Sequence, residues 1–176
     1  MQVIFKINFI LQAKNLIDYL CHIKQEQHKM DTKFRCNCPF TSALDIIGDK
    51  WMLVIVKQML IEDKQTFKDF TESDEGIATN ILTTKLKQLE EFGIILKTKL
   101  PNNKKSNIYL LTEKGLALTP VIVELGIWSD KHLRDLNPDI ANGDGMELLR
   151  KDKIEFGKII EEKYRAKLAK ETFINE

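Results

Sequence analysis

The stretch that decides the fold is residues 79–93, which read TNILTTKLKQLEEFG. Leu82, Leu86 and Leu89 are spaced as i, i+4 and i+7, so they share one side of an α-helix. Gly93 follows where the left-handed C-terminal cap of a helix is expected. The pattern therefore predicts an amphipathic helix that buries its leucine stripe and ends before this glycine.

The opposite side of this helix is polar, but it is not the usual mixture of Glu and Lys. It carries short hydrogen-bonding groups and lysines, namely Asn80, Thr83, Thr84 and Lys87, with Lys85 at the flank. An ordinary solvated face is one interpretation of this pattern, and a surface built to contact a partner is the other. The order of the neighbouring elements decides between them.

Shorter elements are predicted on the N-terminal side of this helix. Thr41 and Ser42 suit the capping of a first helix, and the dense apolar run 50–61 suits a second helix that is buried on most of its circumference. Residues 65–66 suit one short strand, and residues 67–73 suit a brief third helix. Three helices are thus expected before the polar-faced one.

A β-hairpin and a long helix are predicted on its C-terminal side. Residues 94–100 and 107–111 are strand-like, and the six-residue link 101–106 between them is basic and rich in turn-forming residues. A helix over 113–136, with a break or kink near Pro120, leaves a broad apolar surface that must be buried. The hairpin is expected to have a positively charged tip.

Residues 1–35 and 137–176 are predicted to be extensions around a central domain at 36–136. The C-terminal extension suits a linker followed by one charged helix over 146–170. The N-terminal one suits an amphipathic helix, and its apolar cluster is shorter than the ~20 residues that span a bilayer. No small-residue cleavage site follows that cluster, so neither a signal peptide nor a membrane anchor is expected. The apolar positions of the N-terminal helix are Phe9, Leu16, Leu20 and Ile23.

The composition describes an ordinary soluble protein. Of 176 residues, 43% are hydrophobic and 30% are charged, with 27 Lys and Arg against 26 Asp and Glu, which excludes collagen, disulfide scaffolds and polytopic membrane proteins. Three cysteines, an odd number, favour a reducing cytoplasm. Charge is separated along the chain, because 77–112 has six lysines against two glutamates and 62–75 has two lysines against six acids. Such separation suits phosphate binding.

The order of helix, helix, short helix, polar-faced helix and basic hairpin is that of a winged helix-turn-helix. The predicted fold class is therefore α+β and mostly helical, a winged helix-turn-helix with a two-stranded wing and helical extensions at both termini. In this architecture the polar-faced helix enters the DNA major groove, which is wide enough to admit it, and the hairpin reaches the flanking backbone or the minor groove.

A series of short motifs runs in order from Cys38 to about Leu136. It comprises Cys38-Pro39, ALDIIGDKW at 43–51, FKDF at 67–70, GI at 76–77, LTTKLKQLE at 82–90, GI at 93–94, YLLTEKG at 109–115, Pro120 and Trp128. This series resembles the HxlR-type transcriptional regulators, a MarR-like branch of the winged-helix proteins. The resemblance implies a homodimeric, cytoplasmic, DNA-binding regulator whose dimer contacts come from the first and last helices of the matched region.

The chain also departs from the pattern of that family. Where the family commonly has Ser-Pro at the start of the recognition helix, Ala78-Thr79 stands here, so Thr79 is expected to cap one residue later. An Arg that is common shortly afterwards is Asn80 here. Because lysine gives point-charge contacts where arginine gives bidentate ones, softer phosphate contacts are expected, and the operator sequence cannot be copied from a relative.

The predicted protein is thus a homodimer that binds double-stranded DNA at a pseudo-palindromic operator. The predicted DNA contacts are Asn80, Thr83, Thr84 and Lys85 at or near base edges, and Lys87, Lys104 and Lys105 at phosphates. Thr79, at the start of the same helix, is also predicted to contact DNA. The predicted dimer contacts are Leu118, Val121, Ile122, Leu125 and Trp128.

Cys38 is the candidate redox-sensing residue. The resemblance implies this role, because several relatives use a cysteine immediately before this proline as a thiol switch. A position near a helix N-terminus also favours the thiolate. A small residue packed at the dimer surface is the alternative. Cys36 lies too close in sequence to form an unstrained disulfide within one chain, so an intersubunit partner is easier. The sequence leaves the effector open between an oxidant, an electrophile, another small molecule and none.

The sequence also bears on three other classes of function. Cys36-x-Cys38 with His22 or His28 lacks the ligand spacing of zinc knuckles, so no metal or cofactor is expected. The three histidines offer no catalytic spacing and no phosphate-binding loop occurs, so the chain is predicted not to be an enzyme. A winged-helix adaptor that binds proteins and not DNA is the alternative function, and a steep salt dependence of duplex binding would exclude it.

Overall fold

The computed structural model describes residues 34–100, 103–140, 142 and 144–173. The helix predicted from Phe9 to Ile23 lies outside the described residues. The elements, in chain order, are α1 (Pro39–Ile47), α2 (Lys50–Ile61), α3 (Phe67–Thr71), α4 (Thr79–Glu91), β1 (Ile95–Leu100), β2 (Asn103–Leu111), α5 (Glu113–Leu116), α6 (Thr119–His132), α7 (Asp144–Lys151) and α8 (Lys153–Phe173). The predicted α+β, mostly helical winged helix-turn-helix is confirmed.

The core surrounds α2 and the leucine stripe of α4. Leu82, Leu86 and Leu89 are buried, and α4 packs on α2, α3 and β1. Gly93 has φ of 66°, so it provides the left-handed end of α4 that its position predicted. Since the stripe is buried, the polar side of α4 is held on the surface.

The wing is an antiparallel hairpin in which Ile95 pairs with Leu111 and Thr98 with Ile108. The prediction of a six-residue link was wrong, because β2 already begins at Asn103, opposite Leu100, with a register shift between Lys99 and Leu100. Lys104 and Lys105 therefore belong to a strand. The short strand predicted at 65–66 is confirmed as a single bridge between Thr66 and Ile108.

Two predicted helices are each divided in the structure. The helix over 113–136 was expected to break at Pro120, but α5 ends at Leu116 and Pro120 lies in the first turn of α6. Proline has no N–H to donate, so it suits the start of a helix. The helix over 146–170 is divided at Asp152, whose Oδ1 accepts hydrogen bonds from the N–H groups of Ile154 and Glu155.

The predicted caps of two helices were wrong. Helix α1 begins at Pro39 with Cys38 as its N-cap, so Thr41 and Ser42 lie inside the helix. Helix α4 has Ala78 as its N-cap and no side chain caps it. An alanine has no side-chain acceptor, so Ala78 cannot bond the free N–H groups at the start of α4.

The C-terminal helix α8 packs on α2 and α6 as part of the same core. Its buried side chains are Ile160, Tyr164, Leu168 and Ala169. Within the described residues, no helix combines the length and the apolar character that crossing a bilayer requires.

Candidate nucleic-acid interface

The outward side of α4 is the predicted recognition surface, and its first two turns are open to solvent. Thr79, Asn80, Thr83 and Thr84 are all exposed. The opposite stripe of leucines fixes the rotation of the helix, so this face cannot turn inward without exposing the core. The predicted base-contacting side chains are thus gathered on one accessible surface, Lys85 excepted.

Lys85 occupies a different environment from the other predicted contacts. It is half-buried, and its Nζ lies 3.3 Å from Asp49 Oδ2 and 3.1 Å from Gln88 Oε1. Asp49 also caps α2 by accepting from the N–H of Trp51 at 2.9 Å. Lys85 thereby links α4 to the start of α2, and its DNA contact stays a prediction. Sequence reasoning had no signal for this pairing.

Lys87 is fully open on the same helix. Its side chain is 77% exposed, with Nζ 3.5 Å from Glu91 Oε1. Surface pairs of this kind contribute little free energy, so a phosphate can replace the glutamate. The geometry suits the phosphate contact that was predicted.

The hydroxyl groups of Thr83 and Thr84 are engaged within the helix. Thr83 Oγ1 donates to the carbonyl of Thr79 at 2.8 Å, and Thr84 Oγ1 donates to the carbonyl of Asn80 at 2.9 Å. A hydroxyl that has used its single proton retains only its lone pairs. Both groups are therefore acceptors towards anything that docks on α4.

The wing lies next in the chain and packs against α4 through β1. Lys104 and Lys105 lie on β2, and the structure describes their backbone only. Lys99 on β1 is exposed opposite Asn107, and Lys97 lies with its Nζ 6.0 Å from the ring centre of Tyr109. Lys99 is the residue that sequence reasoning missed, although it was counted in the charge of the segment.

Cys38 lies exposed at the N-terminus of α1. Hydrogen bonds from the backbone N–H and the hydroxyl of Thr41, and then from the N–H of Phe40, lower the pKa of the Cys38 thiol. The segment before α1 is anchored to it, because Arg35 forms an ion pair with Asp45 and donates its backbone N–H to the same carboxylate at 3.2 Å. The thiolate is thus stabilised at a site that solvent reaches.

The predicted dimer residues divide into two groups. Ile122 is buried in the core of the chain, and Leu118 is partly buried against it. Val121, Leu125 and Trp128 are exposed by 37%, 47% and 55%. They are spaced as i, i+4 and i+7, so they form one apolar stripe along α6, which we call the α6 stripe. On α1, Phe40 and Leu44 are exposed by 79% and 60%.

Among the residues that the structure describes, no group of three or more His, Cys, Asp or Glu side chains is arranged to hold an ion. His22 and His28, which the sequence offered as partners for the cysteines, lie outside the described residues.

Residues 46–137 match the family model of the HxlR-like helix-turn-helix. Over 95 residues, the chain is 36% identical to the HTH-type transcriptional regulator YodB of Bacillus subtilis, covering 53% of this chain and 84% of that protein. It is 35% identical over 95 residues to the uncharacterized HTH-type transcriptional regulator YdeP of the same organism, covering 54% and 73%.

A crystal structure gives an independent comparison of the fold. PA1607 superposes with a TM-score of 0.52 at 34% sequence identity, covering 56% of this chain and 67% of that one. Helices α7 and α8 lie outside the residues that the family model matches.

Proposed function

Since this chain belongs to the HxlR-like helix-turn-helix family of transcriptional regulators, we propose that it binds double-stranded DNA sequence-specifically, as a homodimer on a pseudo-palindromic operator in the cytoplasm. Membership of the family confirms the prediction of a regulator and not an enzyme. Residues 36–136 are the proposed DNA-binding and dimerisation domain, and residues 1–35 and 137–176 are its extensions.

One observation carries the proposal of DNA binding. The uncharged polar side of α4 is exposed next to a lysine-bearing hairpin, while the leucine side of the same helix is buried. An α-helix fits the major groove with one face against the base edges, and flanking lysines neutralise phosphates. The proposed base contacts are Thr79, Asn80, Thr83, Thr84 and Lys85, and the proposed phosphate contacts are Lys87, Lys104 and Lys105.

The α6 stripe supports the proposal of a homodimer. Large apolar side chains at three successive positions of one helix face are costly to leave in water. A two-fold dimer would bury them against the same surface of a second copy. It would also present two recognition helices to successive major grooves about one helical turn apart.

Titration of a fluorescent duplex at several salt concentrations tests the proposed DNA binding. We expect the logarithm of the association constant to fall linearly with the logarithm of the salt concentration, since lysines displace condensed cations. Replacing Lys104 by Ala should flatten that slope by about one unit and weaken all sequences alike. Replacing Lys151 by Ala, on α7 and outside the wing, is the matched control and should leave the slope unchanged. Binding that is absent or indifferent to salt would favour the protein-binding adaptor.

The exposure and the hydrogen bonds of Cys38 support a thiol response as the regulatory input. Attack of its thiolate on a peroxide gives a sulfenic acid and releases hydroxide or alcohol. A second thiolate, from Cys36 of another subunit or from a small thiol, then attacks the sulfenic sulfur, forms the disulfide and expels hydroxide. A disulfide at the first helix of each subunit would alter the separation of the two recognition helices.

Treatment of the purified protein with diamide, a thiol oxidant, tests the proposed thiol response of Cys38. We expect the oxidised protein to change its affinity for the duplex, the change to be reversed by dithiothreitol, and the Cys38→Ser variant not to respond. The Cys36→Ser variant distinguishes an intersubunit Cys36–Cys38 bond, which it abolishes on non-reducing gels, from a mixed disulfide, which it leaves in place. An unchanged affinity of the oxidised wild type would exclude the thiol response.

A further inference from the structure

We propose that the C-terminal helix α8 positions the wing for DNA, with Tyr164 as the positioning residue. The inference rests on the proposed DNA binding and extends it to a segment that lies outside the residues matched by the family model. In a larger sheet, a third strand would accept hydrogen bonds from the outward N–H groups of β2. Helix α8 supplies such an acceptor here.

The outer edge of β2 is the first observation. Alternate residues of a strand direct their N–H groups to the same side. The N–H of Tyr109 donates to the carbonyl of Gln65 at 2.8 Å, where the chain forms its short bridge beside β2. Two residues further, the N–H of Leu111 donates to the Tyr164 hydroxyl oxygen at 2.6 Å. The Gln65 carbonyl and the Tyr164 hydroxyl thus accept hydrogen bonds from two successive outward N–H groups of β2.

The hydrogen bond between Leu111 and Tyr164 is buried, so water cannot take the place of either group. Tyr164 is 1% exposed and Leu111 is 0% exposed, so solvent does not supply a replacement acceptor. A phenylalanine at 164 would keep the ring in its place and leave the N–H of Leu111 without the tyrosine oxygen. On its outer edge, away from β1, the last residue of β2 is therefore bonded to one side-chain atom, the Tyr164 hydroxyl oxygen.

Ion pairs on either side of Tyr164 hold α8 to the two segments that border this edge. Lys163 Nζ lies 2.8 Å from Asp63 Oδ2, and Lys167 Nζ donates to the carbonyl of Asp63 at 2.7 Å, just before the bridging residues. Arg165 pairs with Glu113, with Nη2 2.7 Å from Oε2, just after β2 ends. Helix α8 is therefore anchored at Asp63, before the bridging residues, and at Glu113, after β2.

The position of the wing lysines depends on how firmly the base of the hairpin is held. The base of the hairpin is held by Gln65 and Tyr164, and its lysines lie towards the other end, so a small rotation at the base moves the lysines by a larger distance. A hairpin released from Tyr164 would spread over several orientations and make fewer phosphate contacts at any moment. The recognition helix would keep its contacts, because α8 does not hold its outward face.

The test compares Tyr164→Phe with Ile160→Val, a control that removes a buried methyl group from the same helix one turn earlier. Both are titrated against the best duplex selected by the wild type, over a range of salt. We expect the Tyr164→Phe variant to lose about one to two units of salt slope and to keep the order of preference among duplexes. Its amide at Leu111 should exchange hydrogen faster. The Ile160→Val variant should retain the wild-type slope, which a general loss of stability does not change.

The outcomes separate the two proposals. A wild type that shows no salt-dependent binding overturns the proposed function. A wild type that binds steeply, together with a Tyr164→Phe variant of equal slope, overturns the role of α8 alone. If Tyr164→Phe does not fold, the double variant Lys163→Ala, Lys167→Ala removes the anchors to Asp63 and leaves Tyr164 in place. It is expected to flatten the slope too, and an unchanged slope in this variant overturns the inference.

Discussion

In the proposed complex, the hydroxyl groups of Thr83 and Thr84 on α4 limit which bases they can hydrogen-bond. Thr83 and Thr84 each donate their proton to a carbonyl one turn earlier, so towards DNA they act only as acceptors. In the major groove, the amino groups of adenine and cytosine are the donors, whereas guanine presents acceptors. In the proposed complex, the hydroxyl of Thr83 would therefore favour an adenine or a cytosine at the base that it contacts.

Replacing Thr83 by Val or by Ser tests this reading. Valine keeps the shape and removes the acceptor, so we expect preference at one base of each half-site to fall by about 1 kcal/mol, roughly fivefold in relative affinity. Serine keeps both the acceptor and its bond within the helix, and should retain the preference. Selection from a random duplex library followed by competition titrations measures both. A valine variant with an unchanged base profile would contradict the acceptor role.

The lowered pKa of Cys38 predicts its reactivity with pH. Since the pKa lies below the ordinary value, the thiolate persists to lower pH than in a free cysteine. Alkylation by iodoacetamide, quantified on the Cys38 peptide by mass spectrometry, should thus reach half its maximal rate at a lower pH than in an unstructured cysteine peptide. In the Thr41→Val variant the hydroxyl bond is lost and the backbone bond remains, so the midpoint should move upward. Identical midpoints in both proteins would show that the hydroxyl has no part in activating the thiol.

At the scale of an element, the junction between the wing and α5 depends on a glycine. Gly115 approaches so closely that a Cβ there would lie 2.3 Å from the carbonyl oxygen of Ile94 and 3.0 Å from Leu111 Cδ2. The first of these neighbours is backbone and cannot rotate away. We expect Gly115→Ala to destabilise the protein by about 1–3 kcal/mol in urea unfolding.

Gly145 provides the matched substitution in another helix. A Cβ at Gly145 meets nothing within 4 Å, so Gly145→Ala should leave the free energy of unfolding unchanged or raise it by up to about 1 kcal/mol. Equal unfolding midpoints for the two alanine variants would mean that the chain relaxes around position 115 without cost.

Elements with a strong local pattern could be predicted from the sequence, and those decided by distant contacts could not. The leucine spacing and Gly93 were enough for α4. The break between α7 and α8 was missed, because charged and apolar residues continue through it and only the carboxylate of Asp152 begins a new helix. The pairing of Lys85 with Asp49 was also invisible, since it joins two elements that are far apart in the chain.

At the scale of the whole molecule, two exposed surfaces differ in their chemistry. The outward side of α4 and the wing is polar and basic, whereas the α6 stripe is apolar. In the proposed dimer, burial of the α6 stripe would leave both recognition helices free, so that the two surfaces could be occupied together. Each half-site would then contribute its own phosphate contacts, and the salt dependence of a dimer would exceed that of a monomer.

Replacing Leu125 by Glu tests the assembly at the centre of the α6 stripe. The side chain is 47% exposed in the single chain, so a carboxylate there costs the fold little, but in a dimer interface it would lose its water without gaining a partner. We expect this variant to be monomeric by light scattering, with a clearly smaller salt slope on a two-half-site duplex. Ile154→Glu, which changes a 65% exposed side chain on α8, should remain dimeric. If both variants stay dimeric, the two-fold axis lies elsewhere, and the exposed Phe40 and Leu44 of α1 become the surface to substitute next.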